Sequence, residues 1–203
     1  SWWAFLIYVA AVIGLVLAGL KLYESRLIRE QNERLEEANA ELERLSLHDP
    51  LTGIFNRRYF DTRLKEELAH ADRSERPVSL LMLDLDRFKE YNDRHGHVAG
   101  DAILVAFARI LTEEIQRRTD FACRYGGEEF AVVLFDTGQG GAEEVAGRIL
   151  SAARETGVTT SIGIAARAPG ARKSDAVFVE RADRALYAAK HAGRDTYSVA
   201  PDE

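Results

Sequence analysis

Four carboxylates stand in two close pairs along this chain. Asp84 and Asp86 end the apolar run 78–86, "VSLLMLDLD", and Glu128 and Glu129 follow two glycines in "RYGGEEF", 124–130. The first run predicts a buried strand. Asp84 at its carboxyl end is a costly place for an anion unless it is paired or bound to metal. The Gly-Gly pair between "DFACRY" and "EFAVVLF" predicts a hairpin. If the strand opening at the second pair runs antiparallel beside the first, Asp84 and Glu128 converge. Clustered carboxylates repel one another, and a divalent cation relieves the repulsion. Oxygen-only ligands point to Mg2+ or Mn2+, and such a site suits phosphoryl or nucleotidyl transfer. Successive strand residues face opposite ways, so Glu128 and Glu129 are not expected to share one role. The plainer alternative is that acids at a strand end and a hairpin tip are simply solvated.

The elements that must position these acids alternate from His48 onward. Helices are predicted over about 56–73, 87–95, 100–117, 141–154 and 174–191. Strands are predicted over about 78–86, 120–125, 129–135 and 158–165, with "TYSV" as a short last one. The fold class is α/β (α+β), with a central, mostly antiparallel sheet and surrounding helices.

A long helix is expected before this domain. Residues 2–20, "WWAFLIYVAAVIGLVLAGL", carry no charge and have the length of a membrane span. Trp2, Trp3 and Tyr8 suit an interfacial aromatic belt, so a transmembrane helix is expected over 1–21. Lys21, Arg26 and Arg29 follow at once, which places the downstream part in the cytoplasm and the protein in the inner membrane with a single span. A signal peptide fits less well, because no basic leader precedes the run. Residues 22–47 are charged, with Ile28, Leu35 and Leu42 recurring every seven, Ala38 and Leu45 between them, and Gln31 as a polar exception. This predicts a short parallel coiled coil, hence a homodimer; a single solvated helix is the alternative. The globular domain is then 48–203. The chain starts at Ser1 without Met and reads as a fragment that lacks an upstream sensor.

The bulk numbers narrow the partners. Of the 203 residues, 46% are hydrophobic, enough for a real core, and the net charge of −6 argues against nucleic acid as a partner. A phosphate-bearing substrate would need local basic residues or metal. The one cysteine, Cys123, cannot form an intrachain disulfide and reads as a small buried apolar residue.

"RYGGEEF" resembles the signature of the GGDEF family of diguanylate cyclases in its GGEEF form. "DPLTGIFNRR" (49–58), "LDLDRFKEYNDRHGHVAGD" (83–101), "TTSIGIA" and "ADRALYAAKHAGRD" resemble further family motifs in the right order, so the likeness covers roughly 46–199. It implies a fold like the palm of nucleotide cyclases and polymerases. It also implies condensation of two GTP into cyclic di-GMP and pyrophosphate, by attack of one 3′-hydroxyl on the other α-phosphate between two facing domains. Asp84, the carbonyl of Leu85 and Glu128 match metal ligands. Glu128 also matches a proposed base, with Glu129 in support. Asn92 and Asp101 match guanine readers and His97 a further nucleotide contact. Phe88 and Lys89 match the phosphate loop, Lys89 as a transition-state cation, and Lys190 and Arg194 match the pair holding the terminal phosphates. Apart from the likeness, Phe88 reads as core, Asn92, His97 and Asp101 as turn and cap residues, and Lys190 and Arg194 as a solvated helix end.

The resemblance implies a second site. "RRTD" (117–120) sets Arg117 and Asp120 as an R-x-x-D, which matches the family's inhibitory product site, and Arg148 matches a second arginine used there. Cyclic di-GMP is then both product and inhibitor. Two rivals stand beside the cyclase: a weak or inactive cyclic di-GMP receptor, and another nucleotidyl transferase sharing the palm.

Overall fold

Eight residues, Val78–Leu85, form β2, apolar except for Ser79 and Asp84 and buried on both faces. Such a strand needs a layer on each side. It pairs antiparallel with β4 (Glu129–Phe135) on one side and with β5 (Thr160–Arg167) on the other. β3 (Phe121–Gly126) is antiparallel to β4, with Gly127 and Glu128 as the turn between them. Two short strands, β1 (Phe55–Asn56) and β6 (Tyr197–Val199), lie parallel to β3 and β5 at the edges. The order is β1-β3-β4-β2-β5-β6. The sheet is therefore mixed, which corrects the expectation of a mostly antiparallel one. Parallel neighbours need a crossover, and α6 (Asp175–His191) supplies one between β5 and β6. The computed structural model describes residues 2–45, 47–115, 117, 119–168, 170 and 174–201.

Alternation along β2 divides the core. Leu81, Leu83 and Leu85 face one way, with buried residues of α4 (His97–Glu114) and α5 (Gln139–Glu155). Val78, Leu80 and Met82 face the other way, with α2 (Arg57–Ser74) and α6. Cys123 belongs to this second layer and is fully buried. Burial pushes its thiol far above the ordinary range. On β5, Gly163 lets α6 lie directly on the sheet, because a Cβ there would meet Leu186 N at 2.1 Å and Ala182 O at 2.2 Å. α3 (Phe88–His95) and α4 meet at Gly96, so α4 starts at His97, three residues before the predicted start.

The chain divides into two compact units, Ser1–Ser46 and Leu47–Glu203. The first is one helix, α1 (Trp2–Leu45). Among the described residues, no helix is long and apolar enough to cross a membrane. That finding overturns the span expected over 2–20 and, with it, the single-span inner-membrane location. The apolar run continues as helix, without a break, into the charged residues. Farther along α1, Ile28, Leu35 and Leu42 are 51%, 60% and 65% exposed. The side chains of Ala38 and Leu45 lie outside the described residues.

Candidate active site

The end of β2 is where the acids meet. Asp84 stands in register with Glu129 on β4 and Ser161 on β5. With period two, Asp84 and Glu129 share the face of the sheet covered by α2 and α6. Glu128 sits in the hairpin turn, and its carbonyl accepts the Leu85 N–H at 3.3 Å. The expected trio of Asp84, Leu85 and Glu128 is thus adjacent, although the direct ladder partner of Asp84 is Glu129. Burial raises the Asp84 carboxyl above the ordinary range. Lys190 opposes that rise by hydrogen bond and charge, and the charges of Glu128 and Asp86 add to it. Glu129 is raised by burial first and by the Asp84 charge second.

Lys190, in the last turn of α6, donates to Asp84 Oδ2 at 2.7 Å. The closeness of α6 to β5 at Gly163 carries the end of the helix to this spot, four residues beyond Leu186. Arg194 follows in the turn after α6, exposed, with a positive φ of 64°. Asp86 has a different task from Asp84. It accepts from Ser161 Oγ at 2.7 Å and from the Asp195 N–H at 3.0 Å. Asp195 is in turn gripped by Arg154 of α5, with two contacts of 2.9 Å to its carboxylate. This staple went unseen in the sequence, since nothing along the chain pairs residues 86, 154 and 195.

A second feature lies between α3 and α4. The Asn92 Oδ1 is buried and has no hydrogen-bond partner among the described residues. It rests on Gly100, where a Cβ would stand 1.8 Å from that oxygen and 3.2 Å from the Phe88 ring. Asp101 is the next residue, and Phe88 packs on the core. A buried unpaired acceptor is a standing cost, and a ligand donor would remove it. Lys89, His97 and Asp101 are exposed around it.

The hairpin is braced by residues the sequence reading left without a role. Arg124 donates from Nε to the Gly127 carbonyl at 2.9 Å and from one terminal nitrogen to both Asp49 oxygens at 3.3 and 3.4 Å. Asp49 also accepts from the Thr52 N–H and hydroxyl at 2.8 and 2.6 Å. The Arg57 guanidinium lies 4.3 Å from the centre of the Tyr125 ring, a cation–π contact on the same hairpin. "DPLTGIFNRR" and "RYGGEEF" flagged both stretches, but their contact spans 75 residues.

The other proposed site lies at the far end of β4. Arg117 donates to the carbonyls of Phe135 and Asp136 at 3.3 and 3.2 Å, and Asp120 accepts the Phe135 N–H at 2.9 Å. Burial raises the Asp120 carboxyl, while that N–H, Thr119 and Arg117 act against it. Arg148 pairs with Glu114 at 2.9 Å. All three residues thus have partners within the chain. A cavity of about 710 Å³ opens beside Arg117, lined also by His70, Arg76 and Val78 at the start of β2.

Could the acid end hold a cation? Among the described residues, no group of three or more His, Cys, Asp or Glu side chains is placed to hold one. Asp84, Glu128 and the Leu85 carbonyl make a smaller, all-oxygen set. Oxygen donors of that kind suit a hard divalent cation, which one or two carboxylates can hold.

Comparison with known proteins gives a consistent picture. The family model for "Diguanylate cyclase, GGDEF domain" matches residues 46–196. Diguanylate cyclase DgcS of Shewanella oneidensis is 40% identical over 172 residues, covering 80% of this chain and 56% of that protein. Response regulator PleD of Caulobacter vibrioides is 40% identical over 162 residues, covering 74% of this chain and 35% of that protein. The chain thus spans about half or less of these curated relatives. The crystal structure of the coiled coil and GGDEF domain of DgcB from Caulobacter crescentus, in complex with c-di-GMP, is similar with a TM-score of 0.70 at 32% identity. It covers 87% of this chain and 98% of that one.

Proposed function

We propose, since this chain belongs to the GGDEF family of diguanylate cyclase domains, that it condenses two GTP into one cyclic di-GMP with release of two pyrophosphates. The observation that carries the reading is the meeting of Asp84, Glu128, Glu129 and Lys190 at one end of the sheet. The diguanylate cyclase relatives and the c-di-GMP complex of DgcB support it.

In this reading Asp84, the Leu85 carbonyl and Glu128 hold Mg2+ or Mn2+. The cation supplies charge neutralisation at the phosphates. Asn92 and Asp101 bind the guanine edge, the buried Asn92 amide gaining the partner it lacks, and His97 adds a nucleotide contact. Phe88 shapes the phosphate loop and Lys89 offers positive charge there. Lys190 and Arg194 hold the terminal phosphates, which answers how an acidic protein takes an anionic substrate. Glu128, in the turn, meets a 3′-hydroxyl presented by a facing domain, while Glu129, opposite Asp84, sets the local charge. The active unit is a homodimer, joined through the heptad seam of α1. Arg117, Asp120 and Arg148 bind product as an inhibitor once their internal contacts are exchanged.

Glu128→Ala tests the reading. It should lower GTP turnover by about 100-fold or more, with circular dichroism and melting temperature unchanged. Retained turnover would remove Glu128 from the chemistry.

A further inference from the structure

Lys190 makes a contact that its phosphate-holding role does not require. Its ammonium lies 2.7 Å from Asp84 Oδ2, and the two side chains are only 31% and 13% exposed. Asp84 has Glu129 beside it in the ladder and the Glu128 backbone one residue along, so the site carries an excess of negative charge. Lys190 sits on a carboxylate that a divalent cation would also use, and two cations on one carboxylate repel. α6 packs directly on β5 at Gly163 with Ala182, Ala185, Leu186 and Ala189 buried, so moving the helix would cost core burial. The lysine stem, with four rotatable carbons, can swing.

We infer that Lys190 is an exchangeable internal counter-ion of the metal site. It neutralises Asp84 in the nucleotide-free chain, and the triphosphate draws it off as the divalent cation enters. This rests on the reading of the site as one for metal and nucleotide. Metal alone must break the 2.7 Å contact between the lysine and Asp84, leaving it the weaker attraction of the neighbouring Glu129. With a nucleoside triphosphate present, the ammonium moves to the phosphates and Asp84 is released. The coupling is reciprocal, so each ligand strengthens the other, and Asp84 does not bind free divalent cation wastefully. The same residue therefore opposes metal binding in the free chain and supports substrate binding in the complex, effects of opposite sign from one side chain.

The test measures Mn2+ binding to the whole chain without nucleotide, by the electron paramagnetic resonance of free Mn2+. Lys190→Met should bind Mn2+ about fivefold to tenfold more tightly than the parent. Arg194→Met removes the same charge four residues on and should leave Mn2+ affinity within about twofold. Asp84→Asn should abolish the tightening when combined with Lys190→Met. Thermal melts confirm that each variant is folded. Equal affinity of the parent and Lys190→Met, including no measurable binding to either, overturns the inference, as does equal tightening by Arg194→Met. Failure to make cyclic di-GMP would sink the catalytic reading while leaving this result standing, so the two are separable.

Discussion

At the scale of single residues, Asp49 and Glu129 should titrate with opposite consequences. Burial works to raise the Asp49 carboxyl, but the Thr52 hydrogen bonds and Arg124 outweigh it and hold it below the ordinary range. Its contribution to stability is therefore present above the unfolded value of about 3.9 and is lost as pH falls through the folded value. Asp49→Asn should cost about 1–2 kcal/mol at neutral pH, and the gap to the parent should close in strong acid. Glu129 is raised, by burial and then by Asp84. Its contribution is complete below the unfolded value of about 4.3 and is lost as pH rises through the folded value. Glu129→Gln should thus melt higher than the parent at neutral pH and level with it in acid. Melts followed across pH check both, and gaps of the same sign would contradict these environments.

Arg117 belongs to this scale too. Its hydrogen bonds to the β4 end predict that Arg117→Ala lowers stability by about 1 kcal/mol while leaving turnover intact and relieving product inhibition. Unchanged inhibition, measured by adding cyclic di-GMP to the assay, would remove the second site.

At the scale of elements, the close seating of α6 on β5 should be the least tolerant feature. Gly163→Ala forces a Cβ into the α6 backbone, and neither neighbour is a flexible side chain. The expected cost is about 1–3 kcal/mol, or a fall of roughly 2–4 °C in Tm for each kcal/mol. An unchanged melt would mean that the helix stands off the sheet. Most elements were legible because their signals are local. The β2 run, the hairpin glycines and the helix after Asn56, whose side chain accepts the Tyr59 N–H at 3.0 Å, all announce themselves within a few residues. Of the edge strands, β6 was expected as the short last strand "TYSV", whereas β1, with only two residues, and the parallel pairing of both were not legible. Nor was the partner of Asp84. Lys190 lies more than a hundred residues away, and only the depth of Gly163 against α6 brings it there. The register that puts Glu129 rather than Glu128 opposite Asp84 is fixed by the turn, which the glycines announced without specifying its length.

At the scale of the whole molecule, α1 presents Ile28, Leu35 and Leu42 exposed along one helix. The heptad spacing predicts pairing with a second copy. Replacing Leu35 and Leu42 by Asn should shift sedimentation toward monomer and lower turnover together. If the proposed seam sets how two domains face, inserting one to three residues near Leu42 should change basal turnover with helical phase. Turnover indifferent to phase would discard the relay. The apolar run 2–20 taught the opposite lesson from the heptads. Its lack of charge suggested a span, yet among the described residues no helix is long and apolar enough to cross a membrane.

The central claim is that two GTP meet at this acid site and leave as one cyclic product. The most direct measurement incubates chain shown to be dimeric by sedimentation with GTP and Mg2+ and identifies the products by chromatography. Cyclic di-GMP with matching pyrophosphate, absent without Mg2+ and with ATP in place of GTP, is the predicted result. GTP left unconverted by a demonstrated dimer would contradict it.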